Sequence, residues 1–198
     1  SVWVQRGSDI DGEAAGDESG SNALSSDGTI LAIGAAENEG NGKLAGHVRV
    51  YHWNGSAWVQ RGSDIDSEAV DDRSGTYVSL SSDGTILAIA APQNDGNGNL
   101  AGHVRVYHWN GSAWVQRGSD IDGEAIDDQS GRNALSSDGT ILAISAGDNN
   151  GSGFSAGHVR VFKIDNDEPG VSLTLDKSII PESGGVSVLT ASLDEVVA

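Results

Sequence analysis

Three acidic stretches carry side chains that could do chemistry. Residues 8–20 read SDIDGEAAGDESG, and the pattern returns as SDIDSEAVDDRSG at 63–75 and SDIDGEAIDDQSG at 119–131. Asp9, Asp11, Glu13 and Asp17 offer hard carboxylate oxygens, as do Asp64, Asp66 and Glu68 in the second stretch and Asp120, Asp122 and Glu124 in the third. Calcium takes about 6–8 such oxygens. The D-x-D-G order lacks the distal Glu of an EF-hand loop, and a solvated acidic surface accounts for the same composition. Both readings stay open.

The Gly- and Asn-rich stretches 37–46, 93–102 and 148–157 are a second candidate. Asn, Asp and Gly tolerate left-handed backbone, which explains the composition without a ligand; loops on a rigid β scaffold also carry carbohydrate or ion contacts. His47, His103 and His158 recur at equivalent places, as do Arg49, Arg105 and Arg160. One His per unit reads as a hydrogen-bonded structural residue, and equivalent places in different units lie too far apart to share a metal. The arginines are expected to reach an acidic loop of the adjoining unit and so order the junction. Trp3, Trp58 and Trp114 are expected to pack between units, with sugar stacking as the other use. Asn54, Asn110 and Asn150 each open an Asn-Gly-Ser triplet, which fits an N-glycosylation acceptor and an Asn-Gly turn equally. No G-x-S-x-G occurs, and almost every polar candidate occurs three times where a catalytic set is unique, so no enzyme is expected.

Composition narrows the partners. The 198 residues carry 11 Lys+Arg against 29 Asp+Glu, a formal net charge of −18. Such a surface repels phosphate backbones, which excludes nucleic acid as an expected partner. No apolar run approaches the ~18–20 residues of a membrane helix, so no membrane span is expected. The absence of Cys excludes disulfides, thiolate metal sites and a cysteine nucleophile. A chain that opens on Ser1 and has no Met is expected to be a processed product or part of something longer.

The elements that position these residues come from a repeat. WVQRGSDID begins at Trp3, Trp58 and Trp114, and each occurrence continues through an acidic stretch, SSDGTILAI, a Gly/Asn-rich stretch and GHVRV. The pattern predicts units at about 1–57, 58–113 and 114–164, a linker at 165–170 and a separate segment at 171–198. In GHVRVYHW, Val48, Val50 and His52 share one face of a strand, with His47, Arg49, Tyr51 and Trp53 on the other. TILAIAA at 85–91 is almost continuously apolar, as a strand covered on both faces should be. Asp27-Gly28, Asp83-Gly84 and Asp138-Gly139 predict type I′ hairpins, as do Asn54-Gly55 and Asn110-Gly111. The second unit carries one extra residue in SGTYVSLSSDG, and the variation, near Asn22 and Asn133 of the other units, is expected to sit at a strand start, where register need not suffer. No helical period appears. The fold class is all-β, with about four short strands per unit.

Four strands in about 55 residues is the pattern of a propeller blade. The stretch DESGSNALSSDGTILAIGAAENEGNGKLAGHVRVYHW (17–53) and its counterparts resemble the FG-GAP-type repeats of bacterial and algal surface proteins, distantly related to integrin α-chain blades. Ser19-Gly20 stands where that family has Phe-Gly, and Ala90-Ala91-Pro92 keeps its Gly-Ala-Pro proline. The resemblance implies three tandem four-stranded propeller-type blades. It does not carry integrin calcium sites, because the Ser-Ser-Asp-Gly hairpin is too short to wrap an ion. VSLTLDKSIIPESGGVSVLTASLD (171–194) resembles the first strands of a Calx-beta or related β-sandwich module.

Three blades cannot close a ring that normally needs about 4–8, and a unit this small cannot cover its own apolar face. The expected function is therefore that of a non-enzymatic extracellular or cell-surface structural or adhesive protein. Self-association through blade ends and edge strands would give a six-bladed two-chain ring or a filament. The alternative is a calcium-dependent propeller that recognises glycans or surface proteins through its loops.

Overall fold

In the computed structural model, which describes residues 2–165, every regular element is a strand. The first sheet runs β1 (Ser19–Leu24), β2 (Ile30–Ala35), β3 (His47–Trp53). Its outer position is split into β4 (Trp58–Gln60) and β5 (Ile65–Asp66), both antiparallel to β3. The second sheet repeats this with β6 (Tyr77–Leu80), β7 (Ile86–Ala91), β8 (His103–Trp109), β9 (Trp114–Gln116) and β10 (Ile121–Asp122). The third has β11 (Arg132–Leu135), β12 (Ile141–Ala146) and β13 (His158–Lys163), with no outer strand among the described residues. The linker beyond Asp165 and the Calx-beta-like segment 171–198 lie outside the described residues.

The first two sheets thus straddle a boundary of the sequence repeat. The nonapeptide Trp58–Asp66 completes the blade begun by the first unit, because the Asn54–Ala57 loop folds it straight back on β3. Trp114–Asp122 completes the second blade in the same way. The first nonapeptide, at 3–11, forms no strand and lies against blade one where the outer strand of a preceding blade would lie.

The all-apolar character of β7 follows from its middle position. Leu87, Ile89 and Tyr107 face blade one and meet Ala32, Val48 and Val50. Ile86, Ala88, Ala90, Val104 and Val106 face blade three and meet Leu142 and Ile144. The predicted two faces of GHVRVYHW are those observed, with Leu31 opposite Tyr51 and Ile33 opposite Arg49 on one side. In blade three the equivalent outward face is bare: Val159 is 61 % and Val161 67 % exposed. The extra residue of the second unit, Thr76, sits in the turn just before β6, so the strand register is kept.

The turns differ from the expected type I′. Only Gly28, at φ 68°, is left-handed in Ser25–Gly28, whereas type I′ needs both central residues there. Gly28 N donates to Ser25 O, and Asp27 accepts from Ser25 Oγ and Thr29 N. The serine hydroxyl in turn accepts from Ile30 N. This side-chain wiring makes a five-residue connection preferable to a two-residue one. Asn54 does likewise, its Oδ1 accepting from Ser56 N and Ala57 N.

The same wiring has a pH consequence. Donation from Ser136 Oγ, then from Thr140, holds the Asp138 carboxyl down to about 2 from 3.8. Donation from Ser25 first, then Thr29, lowers Asp27. A folded value below the unfolded one stabilises fully above the unfolded value, and that contribution is lost as pH falls through the folded value. The urea midpoint is therefore expected to fall between about pH 4 and about pH 2, and Asp138→Asn to flatten part of that fall. A wild-type midpoint constant across this window contradicts the assignment.

Candidate functional site

The candidate residues gather where one unit meets the next. Asp71, Arg73 and Ser74 donate their N–H groups to the carbonyls of Lys43, Leu44 and Ala45, and Ser67 donates to Gly46. One unit further on, Asp127, Gln129, Ser130 and Gly123 repeat those bonds to Asn99, Leu100, Ala101 and Gly102. Asn41 and Asn97 add side-chain bonds of 2.7 Å to Ser67 O and Gly123 O. The acidic and the Gly/Asn-rich stretches therefore dock on each other. At Gly46, φ is 77° and a Cβ would run into the Ser74 main chain, so only glycine allows this approach.

Docking consumes part of the expected calcium set. Asp17 is buried, and its Oδ2 accepts from Glu13 N, Ala14 N and Asn38 Nδ2. Desolvation pushes its pKa up, but these donors outweigh it and the carboxyl ends below its ordinary value. Asp72 and Asp128, which the sequence reading passed over, are held in the same way by Asn94 and Asn149. Asp11, Asp66 and Asp122 contribute main-chain carbonyls, which accept from Arg49, Arg105 and Arg160 Nη2. Each arginine thus reaches the acidic stretch of its own unit and not the expected one of the adjoining unit, because the nonapeptides of the second and third units fold onto the preceding blade. Among the described residues, no acidic stretch brings three of its own carboxylates around one centre.

The carboxylates that do converge come from different stretches. Glu13 and Asp64 meet at His47, and Glu68 and Asp120 meet at His103, with the ligand atoms of each set within 4.8 Å of one another. His103 Nδ1 lies 3.9 Å from Glu68 and 3.7 Å from Asp120. Burial, then the Arg105 charge, pushes His103 below its usual pKa. Burial raises the Glu68 carboxyl against the pull of Arg105, and Asp120 adds to the rise. In the third unit, Glu124 and His158 stand 3.5 Å apart. Asp9, the counterpart of Asp64 and Asp120, lies in the first nonapeptide and accepts from Gln5. In every unit the strand-opening His follows an acidic stretch in the sequence, and only the fold shows that adjacent units lend carboxylates to one ring.

The other expected junction residues are placed as follows. Trp58 Nε1 donates to Arg6 O and Trp114 Nε1 to Arg61 O, both at 3.0 Å, so each indole ties its blade to the preceding nonapeptide. The Arg6 and Arg61 guanidinium groups lie 4.7 and 4.6 Å from the Trp53 and Trp109 ring centres. Trp3 is 98 % exposed. Asn54, Asn110 and Asn150 lie in exposed loops. An open groove beside the starts of β6 and β11 is lined by Glu18, Arg73, Gln129 and Asp148, among others. Arg73 pairs with Glu37 at 2.8 Å, and Gln129 Nε2 donates to Asp148 Oδ2 at 3.1 Å.

The described residues thus define an all-β protein of tandem blade-like sheets joined by a repeated backbone and side-chain junction. No family model and no curated protein matches the chain. Among solved structures it is similar to TolB from Acinetobacter baumannii, with 16% sequence identity and a TM-score of 0.41. The match covers 78% of this chain and 35% of that one, so the chain spans about a third of the length of that protein.

Proposed function

We propose that this is a non-enzymatic structural or adhesive repeat protein of the extracellular or cell-surface kind, which associates head to tail through its blade junctions. One observation carries the reading: the first and third blades present the two halves of a junction that the chain already makes twice. The bare face of β12 and β13, with Ile141, Val159 and Val161, is the face that blade two presents to blade three through Ile86, Val104 and Val106. Its complement is the Leu31, Ile33 and Tyr51 side of blade one, equivalent to Leu87, Ile89 and Tyr107. The backbone agrees. Glu18 has φ 49°, matching 55° at Arg73 and 48° at Gln129, and Ser155 has φ 47°, matching Leu44 and Leu100 at 47° and 52°. Both halves hold the docking conformation.

The outer edge of β13, unpaired among the described residues, adds a second contact. In blades one and two that edge pairs with a nonapeptide, and in this reading Trp3–Asp11 of a second chain fills it. Joining unlike ends is heterologous, giving a closed ring if the rotation closes and a filament if it does not. The FG-GAP-type resemblance supports the surface setting.

Sedimentation velocity over a hundredfold concentration range is the test. Dimers or longer species are expected to grow with concentration, and Val159→Lys with Val161→Lys is expected to return the chain to monomer while leaving circular dichroism unchanged. A wild-type chain that stays monomeric throughout overturns the proposal.

A further inference from the structure

We propose that the clusters Glu13–His47–Asp64 and Glu68–His103–Asp120 are binding sites for a divalent transition cation of the zinc class, one at each junction between successive units. Three separated segments build each site. The glutamate comes from the acidic stretch after one nonapeptide, the histidine opens the third strand of the blade, and the aspartate lies in the outer-strand bulge between β4 and β5 or between β9 and β10.

The histidine is the independent pointer to a ligand. His103 is 1 % exposed. Its Nδ1 aims at two carboxylates that lie beyond hydrogen-bond reach, at 3.7 and 3.9 Å. Its Nε2 has no hydrogen-bond partner, and the same is true of His47 Nε2. Buried polar atoms are almost always paired, so an imidazole with neither nitrogen hydrogen-bonded calls for an explanation. A cation between the three groups supplies the missing partner of Nδ1. Zinc bonds of about 2.0–2.2 Å to nitrogen and oxygen place ligand atoms roughly 3.4 Å apart, so the His103 gaps of 3.7 and 3.9 Å need to close by a few tenths of an ångström, within sets whose ligand atoms all lie inside 4.8 Å.

The carboxylates are held as ligands usually are. Glu68 Oε1 faces Arg105 Nη1 at 3.8 Å while Oε2 faces the histidine. Asp120 Oδ1 accepts from Gln116 Nε2 at 2.7 Å while Oδ2 faces the histidine. Gln60 holds Asp64 in the same manner at 2.6 Å. One oxygen of each aspartate is thus fixed by a glutamine donor and the other left for the ion, the arrangement by which outer partners orient metal ligands, while each glutamate is oriented by the nearby arginine charge. Both carboxylates reach solvent, 45% and 28% exposed as side chains, so an ion has a way in. A set of one imidazole and two carboxylates suits zinc, nickel or copper, whereas calcium seeks six or more oxygens and gains little from nitrogen. Glu124 and His158 form two thirds of a third site. Resting on the head-to-tail reading, Asp9 of a second chain, already held by Gln5, is its missing ligand.

Titration calorimetry of the chelator-stripped full chain with zinc chloride near neutral pH is expected to give two equivalents per chain at monomeric concentrations. A third is expected when the chain is assembled. Asp64→Asn and Asp120→Asn, both at solvent-accessible positions, should each weaken one site at least about tenfold, and calcium should not compete. Because His47→Gln or His103→Gln could misfold, nitrogen NMR of the wild-type imidazoles provides the second readout: zinc should shift Nδ1 of both rings. Two equivalents that never become three count against assembly and leave the in-chain sites standing. No binding below millimolar zinc, binding unchanged in the Asp64→Asn/Asp120→Asn double variant, or unmoved Nδ1 signals overturns the proposal.

Discussion

Leu87→Ala is expected to lower the unfolding free energy by about 3 kcal/mol, read as a fall in the urea midpoint followed by tryptophan fluorescence. Leu87 is fully buried and lies in the cluster that joins blade one to blade two, among Ala32, Val48 and Val50. Truncation removes the transfer energy of the side chain and leaves a cavity between two sheets whose backbones are pinned by Asp71–Lys43, Arg73–Leu44 and Ser74–Ala45 bonds, so the site cannot collapse to fill it. The repeat supplies its own controls. Leu142 is as buried against blade two and should cost a similar amount. Leu31 occupies the same place on blade one but is only half-buried, so Leu31→Ala should cost less than about 1.5 kcal/mol in the monomer and, if chains join head to tail as proposed, more in the assembly. The same substitution at three equivalent positions thus measures how much of each blade's stability comes from its neighbour. A loss below about 1 kcal/mol at Leu87 contradicts the view that the junction is the stabilising unit.

Much of this could be read in the sequence, for physical reasons. Burial on both faces was legible in ILAIAA, because only a strand with neighbours on either side does without a polar face. Alternation in HVRVYHW fixed which side chains share a face, since the period of a strand leaves no freedom once one residue is placed. The length variation falls ahead of β6 at Thr76, while Asn133 sits near the start of β11 and Asn22 lies mid-strand in β1. Turn type was not legible: Asp27-Gly28 promised a two-residue hairpin, and the Ser25 hydroxyl made a longer loop better by accepting from Ile30 N. The histidine clusters were hidden for a different reason. Proximity along the chain grouped Asp9, Asp11, Glu13 and Asp17, whereas the fold spends Asp17 on main-chain donors and brings Glu13 to Asp64 through pairing of β3 with the following nonapeptide. Such partners follow from tertiary pairing, which local spacing does not encode.

Arg105→Ala is expected to cost about 3 kcal/mol, the other large effect. Arg105 is buried, its Nη2 donates to Asp66 O at 2.8 Å, and its guanidinium lies 5.6 Å from the centre of the Tyr107 ring. A hydrogen bond from a charged donor contributes about 1.5–3 kcal/mol, and cation–π contact adds roughly 0.5–2 when desolvated. The removed charge also faces Glu68 at 3.8 Å, but that carboxylate is nearly half-exposed, and solvent screens much of the loss. Arg105→Met keeps the packed stem and should recover less than half of the deficit, because the bond to the outer strand of the preceding blade, and not the stem, is the main contribution. Arg105→Lys should also fall short, since a single ammonium cannot both reach Asp66 O and lie over Tyr107. Arg49 makes the equivalent bond to Asp11 O at 2.8 Å, yet the segment it holds forms no strand, so Arg49→Ala should cost clearly less. Equal losses at Arg49 and Arg105 would show that the arginine stabilises its own blade and that the grip on the outer strand of the neighbouring blade contributes little. A deficit at Arg105 well above that at Arg49 places the energy at the junction, where head-to-tail growth would draw on it again.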